Sequence, residues 1–131
     1  MHVFRGPPSP LQRRPSAVAI GNFDGVHLGH QALLEYVKEA AQARGLVPSV
    51  VTFEPHPKDF FGRGGEVARI STLYDKVNAI LGTGIERIYI LPFNSRLACM
   101  PAETFVRDVL LKGLDACWMS VGKDFRFGGD R

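Results

Sequence analysis

Ala17-Val18-Ala19-Ile20-Gly21-Asn22-Phe23-Asp24-Gly25-Val26-His27-Leu28-Gly29-His30-Gln31 is the stretch whose reading decides the fold. Its first four residues are a short apolar run ended by glycine, which suits a buried strand. Gly21 to Gly25 reads as a tight loop. A helix then follows from about Leu28 to Arg44, with Leu33, Leu34, Val37, Ala40 and Ala41 on one face and Gly45 as a natural stop. A buried strand, a glycine-rich turn and a long amphipathic helix make the first half of a βαβ unit.

The rest of the chain repeats that rhythm. Ser49–Phe53 reads as a second strand that feeds the proline-broken loop Glu54-Pro55-His56-Pro57. Ser71 or Thr72 is expected to cap a helix through about Leu81, with Leu73, Val77, Ile80 and Leu81 inward and Gly82 and Gly84 ending it. Ile88–Leu91 is a third strand, stopped by Pro92. Pro101 suits the first turn of a helix carrying Phe105, Val106, Val109 and Leu110. Cys117–Val121 is a fourth strand, stopped by Gly122. Residues 1 to 16, rich in Pro and Arg, read as an irregular lead-in, and Phe60–Arg69 as a glycine-rich mobile stretch. Alternation of this kind predicts a single α/β domain with a parallel sheet and right-handed crossovers. Ligands of such sheets bind beyond the carboxyl ends of the strands. The unusual segments Gly21–His30, Phe53–Pro57, Pro92–Asn94 and Gly122–Gly128 all follow strands, so they are expected to gather on one edge.

Composition narrows the function classes. The 131 residues are 45% apolar and 22% charged, enough to bury a core. Sixteen Lys and Arg against thirteen Asp and Glu give net +3, with the charge scattered, which does not argue for a nucleic-acid protein. No apolar run approaches a membrane span, and Met1–Arg14 lacks a secretory h-region. Two cysteines make no disulfide framework, so a reducing, cytoplasmic location is the default. Cys99 and Cys117 read as small buried apolar residues, and Trp118 as packing.

The loop after the first strand carries the chemistry. Its glycines at 21, 25 and 29 permit tight turns and close backbone approach to a ligand. It leads into a helix N-terminus, where free N–H groups and the helix dipole favour a phosphate. The spacing is neither GxGxxG nor a Walker A loop. His27 and His30 are three residues apart, able to lie together on the first helical turn and donate to a phosphate in the transition state. The plainer alternative has them capping the helix or facing solvent. A zinc site would need His56 and Asp24 as further ligands.

At this point the sequence resembles a known family. Gly21–Gln31 (GNFDGVHLGHQ) is similar to the motif of the bacterial bifunctional riboflavin kinase/FMN adenylyltransferases, the FAD synthetases. Its His27-x-Gly29-His30 core is shared across the nucleotidyltransferase superfamily. Thr52-Phe53-Glu54-Pro55-His56-Pro57 resembles the family's FEPHP segment. Ile70–Lys76 resembles its L-T-x-x-x-E-K helix start, and Val121–Gly128 (VGKDFRFG) its V-G-x-D-F-x-F-G loop. The resemblance implies a Rossmann-like nucleotidyltransferase fold. It also implies transfer of AMP from ATP to FMN, giving FAD and pyrophosphate, with Mg²⁺ and with ATP and FMN as substrates.

By resemblance, His27 and His30 contact the ATP phosphates and count with Asp24 as catalytic, while Gly21, Asn22, Phe23, Asp24 and Gly25 form the loop around the nucleotide, with Gly29 also on the ATP side. Phe53, Pro55, His56 and Pro57, with Gly122, Asp124, Phe125 and Phe127, form the flavin side. The metal ligands are left unassigned. The family's domain continues past the V-G-x-D-F-x-F-G loop and precedes a riboflavin kinase domain. Residues 1–131 therefore read as a partial adenylyltransferase domain without the kinase, its sheet incomplete at the carboxyl terminus, with an exposed sheet edge open to self-association. Alternative readings are a fragment that binds nucleotide or flavin without turnover, and a related nucleotidyltransferase with another phosphate acceptor. Individual residues keep simpler readings beside these. Phe53 is core or stacking platform. Phe125 and Phe127 alternate at strand spacing, Asp124 suits a turn, and Lys76 reads as a solvated helix charge before it reads as an anion ligand.

Overall fold

A computed structural model describes residues 2–23, 28–54 and 66–122. Five strands, β1 (His2–Arg5), β2 (Ser16–Ile20), β3 (Val47–Glu54), β4 (Arg87–Pro92) and β5 (Ala116–Val121), form one sheet in the order β1-β4-β3-β2-β5. Every pairing is parallel. The helices are α1 (Leu28–Arg44), α2 (Glu66–Leu81), the single turn α3 (Ser95–Ala98) and a longer helical segment, α4. The last runs through Ala102–Thr104, a π-helical stretch Phe105–Leu111 and Lys112–Leu114. This is an α/β fold of Rossmann-like architecture.

Period-two alternation along the central strands sends side chains to two separate cores. Ala17 and Ala19 of β2, Val50 of β3 and Ile88 and Ile90 of β4 pack under Leu34, Val37 and Ala41 of α1 and Ile80 of α2. Val18, Ile20, Val51, Phe53, Tyr89 and Leu91 pack on the other face against Phe105, Leu110 and Leu114 of α4. Both faces of the sheet are thus covered, which is why the central strands read as unbroken apolar runs. Small Ala17 and Ala19 lie under α1, whose own Ala40 and Ala41 are buried.

Four departures from the sequence reading have physical causes. The lead-in contains a strand: β1 pairs with β4 from His2↔Arg87 to Arg5↔Ile90, and only that tertiary pairing distinguishes its four residues from a loop. The middle helix begins at Glu66, so Ser71 and Thr72 lie inside it and are not its cap, and residues 66–69 are helical. Residues 60–65 lie outside the described residues. Cys99 and Cys117 are exposed thiols, not buried ones: Cys99 follows the α3 turn and Cys117 sits on the edge strand β5. Finally, α4 widens to a π-helix between the buried residues Phe105 and Leu110. Their five-residue spacing matches the i→i+5 repeat of that helix and keeps both on the core side.

Candidate active site

Because all five strands run the same way, their carboxyl ends lie along one edge. Gly21 N–H donates to the Val51 carbonyl at 3.1 Å, and Gly122 N–H donates to the Ile20 carbonyl at 2.8 Å. Phe93 N–H donates to the Glu54 carbonyl at 3.0 Å. The exits of β2, β3, β4 and β5 are therefore adjacent. The chain steps outward from β2 to β3 and β4, then returns to place β5 on the other side of β2. That reversal puts a topological switch point at the exit of β2, where open α/β sheets bind ligands.

The described start of the β2 exit, residues 21–23, is built around one aromatic ring. Phe23 has φ +54°, in the left-handed region, and is completely buried. A bulky residue in that region costs about 1–2 kcal/mol. The ring folds back over Gly21, where a Cβ would stand 3.2 Å from it, so glycine is what lets the turn close. On its other side the ring meets His30, with centroids 5.1 Å apart and planes at 48°. His30 is 5% exposed and lies in the first turn of α1. Phe23 thereby packs against one of the two motif histidines. The first turn of α1 contains no acidic residue. Among the described residues no acidic side chain of this turn neutralises the positive end of the helix dipole, and that end attracts an anion.

Beneath the loop lies a residue whose sequence reading is overturned. Lys76 of α2 is 5% exposed and is not a solvated helix charge. Its Nζ donates to the Asn22 carbonyl at 2.8 Å and to Thr52 Oγ1 at 3.2 Å. Thr52 Oγ1, itself buried, donates to the same Asn22 carbonyl at 3.2 Å. The helical spacing carried a signal for this: Leu73, Lys76 and Ile80 lie at i, i+3 and i+7 on the inward stripe. Thr52 was the other residue missed, a hydroxyl at the carboxyl end of an otherwise apolar strand. Asn22 Oδ1 is also buried and has no hydrogen-bond partner among the described residues.

The structure brings Gly21, Asn22, Phe23, His30 and Gly122 to the same edge, and Gly29 lies in α1 beside His30. Phe53 goes elsewhere. It is 1% exposed in the core on the α4 face, with Phe93 6.3 Å away edge-on and Phe105 at 6.2 Å. Trp118 packs as expected, 5.2 Å from Tyr36 and with Arg44 over its ring. Asp24, Gly25, His27, Pro55, His56, Pro57, Asp124, Phe125 and Phe127 lie outside the described residues. Among the described residues no three His, Cys, Asp or Glu side chains come together as a metal cluster. Among them, too, no helix is long and apolar enough to cross a membrane.

Comparison with known proteins gives this geometry a family. A bifunctional riboflavin kinase/FMN adenylyltransferase of Pseudomonas fluorescens is 42% identical over 120 residues, 92% of this chain and 38% of the relative. The protein of that name in Escherichia coli K12 is 39% identical over 114 residues, covering 87% of this chain and 36% of its own length. That of Bacillus subtilis 168 is 38% identical over 118 residues. The chain thus spans little more than a third of these relatives. A crystal structure described as a macrolide-efflux protein from Streptococcus pneumoniae superposes with a TM-score of 0.77 at 27% identity, covering 99% of this chain and 45% of that one. The family model for FAD synthetase matches residues 9–131, and the chain belongs to the FAD synthetase family.

Proposed function

We propose that this chain is an FMN adenylyltransferase domain. It takes ATP and FMN at the carboxyl edge of the sheet and releases FAD and pyrophosphate. The observation that carries the reading is His30 held against Phe23 at the start of α1, beside the glycine turn at the switch point. An oxygen of the FMN phosphate attacks the α-phosphorus of ATP. The bond from that phosphorus to the bridging oxygen breaks, and pyrophosphate leaves with the electron pair. No covalent enzyme intermediate is needed, so the protein contributes positioning and charge stabilisation.

Gly21, Asn22, Phe23, Gly25 and Gly29 bring the backbone close to the triphosphate, and His27, His30 and Asp24 act at the phosphates. Pro55, His56, Pro57, Gly122, Asp124, Phe125 and Phe127 form the acceptor side, with Phe53 packed beneath it. Magnesium, when bound, neutralises phosphate charge. An ion that arrives on the nucleotide needs only one or two protein ligands and no dedicated protein cage. The two exposed unpaired cysteines fit a reducing cytoplasm. The efflux description of the structural neighbour does not alter the reading, because likeness of fold does not carry function.

Chromatographic detection of FAD tests the proposal, with FMN, ATP and Mg²⁺ supplied to the purified chain and to His30→Asn. FAD from the chain, reduced at least 100-fold in the variant, supports it. A folded chain that binds neither substrate overturns it. Binding without turnover would instead favour a binding-only fragment, the reading suggested by its coverage of a third of its relatives.

A further inference from the structure

We propose that Lys76 is a positioning residue. It fixes the loop that carries Phe23 and, through Phe23, His30, and it does so from beneath without touching substrate. The inference rests on the adenylyltransferase reading of that loop, but its core claim concerns the loop itself.

The argument starts from a cost. A lysine is almost never fully buried unless it is paired, because desolvating an ammonium is expensive. Lys76 meets that cost with a main-chain carbonyl and a hydroxyl. The carbonyl belongs to Asn22, the residue immediately before the left-handed Phe23. Thr52 Oγ1 binds the same oxygen from β3. Asn22 O therefore receives donors from two elements, α2 and β3, while Gly21 N–H holds the loop to Val51 of β3. Non-glycine residues persist in the left-handed region only where their surroundings over-determine them. Here the preceding carbonyl is fixed from two sides and the ring is packed between Gly21 and His30. The packing of Gly21, Phe23 and His30 shapes the described start of the loop, and α2 supplies a charge-assisted bond that holds it.

Amide hydrogen exchange and ATP titration of the full chain test this. Lys76→Met keeps the length and apolar stem of the side chain, and it leaves Asn22 O bonded to Thr52, so the fold is retained. In Lys76→Met the Gly21 amide is expected to exchange at least tenfold faster. The Gly6 amide, bonded to Ile90 O, and the Val47 amide, bonded to Pro15 O, stay within twofold. ATP binding weakens about tenfold. Thr52→Val removes the weaker partner and gives the same pattern at about threefold. Arg87→Met is the structural control: it lowers stability and moves neither Gly21 exchange nor ATP affinity. Unchanged Gly21 exchange in both Lys76→Met and Thr52→Val overturns the proposal, and so does a uniform rise at all three amides. If the wild-type chain binds no ATP, the functional reading falls alone, and the exchange measurements still decide the role of Lys76.

Discussion

The two ends of the sheet use the same device for different ends. At the carboxyl edge, Lys76 joins a loop carbonyl to a strand hydroxyl. At the amino edge, Arg87, 9% exposed, donates to the Gln12 carbonyl at 2.7 Å and to Tyr89 Oη at 3.0 Å, and lies 5.1 Å over the Phe4 ring. Each is a buried cation that pins a connection to the sheet. Arg87 closes the β1–β2 connection, where parallel sheets do not place ligands. Lys76 pins the connection that, among the described residues, carries a left-handed phenylalanine and leads to a histidine at a helix start. Burial and bonding alone do not separate a structural cation from a functional one; on the proposed reading, the end of the sheet it serves does.

That division is broken most severely by Phe53. It stands near the carboxyl end of β3, one residue after Thr52, yet its ring packs with Phe93 and Phe105 on the opposite face. Phe53→Ala is expected to cost about 3–5 kcal/mol, read as a fall in the chemical-denaturation midpoint. Thr52→Val next to it should lose under about 1.5 kcal/mol. Similar losses for the two would mean that strand face does not decide role. Arg87→Met comes next, at about 2 kcal/mol for two charge-assisted bonds, with ATP affinity unchanged. Arg87→Lys restores little of that, since one ammonium does not reproduce the planar stacking on Phe4.

The alternation of strands and helices was legible because apolar runs and helical stripes are local. The bounds of α1 follow from Leu28–Arg44 directly. The turn at Gly21 and the place of His30 at the start of α1 follow from equally local signals. β1 was not, since four residues of mixed polarity become a strand only by lying against β4. The conformation of Phe23 was hidden because nothing in the string Asn22-Phe23 requires a positive φ; the demand comes from Gly21, His30 and Asn22's two partners. Lys76 lies on an inward stripe, where position outweighs the usual exposure of its residue type, and the exposed cysteines show the reverse.

Gly21→Ala sharpens the comparison on the site side. The added Cβ meets the Phe23 ring at 3.2 Å, so the ring must give by a few tenths of an ångström. Overpacking of this kind costs about 1 kcal/mol. The ring that moves is the one supporting His30, so FAD formation should fall by more than tenfold while the melting midpoint drops only about 4 °C. Loss of activity in proportion to stability alone would mean that Phe23 packs the loop without setting the histidine.

The smallest effect belongs to a charge pair that serves neither end. Asp108 on α4 accepts from Arg107 Nε at 3.0 Å, with Lys112 Nζ at 3.9 Å, and both partners are exposed. The hydrogen bond from Arg107 holds its carboxyl below the ordinary value. A depressed carboxylate stabilises the fold above its unfolded pKa, and the contribution disappears as pH falls through the lower folded value. The whole window therefore lies in acid, below about pH 4. Water and salt screen an exposed pair almost completely. Asp108→Asn should melt with the parent chain at pH 7 in ordinary salt, and any gap seen at low ionic strength should close as pH drops toward 3. A gap that survives salt at neutral pH would show that a surface pair of this chain can do what Arg87 and Lys76 do only because they are buried.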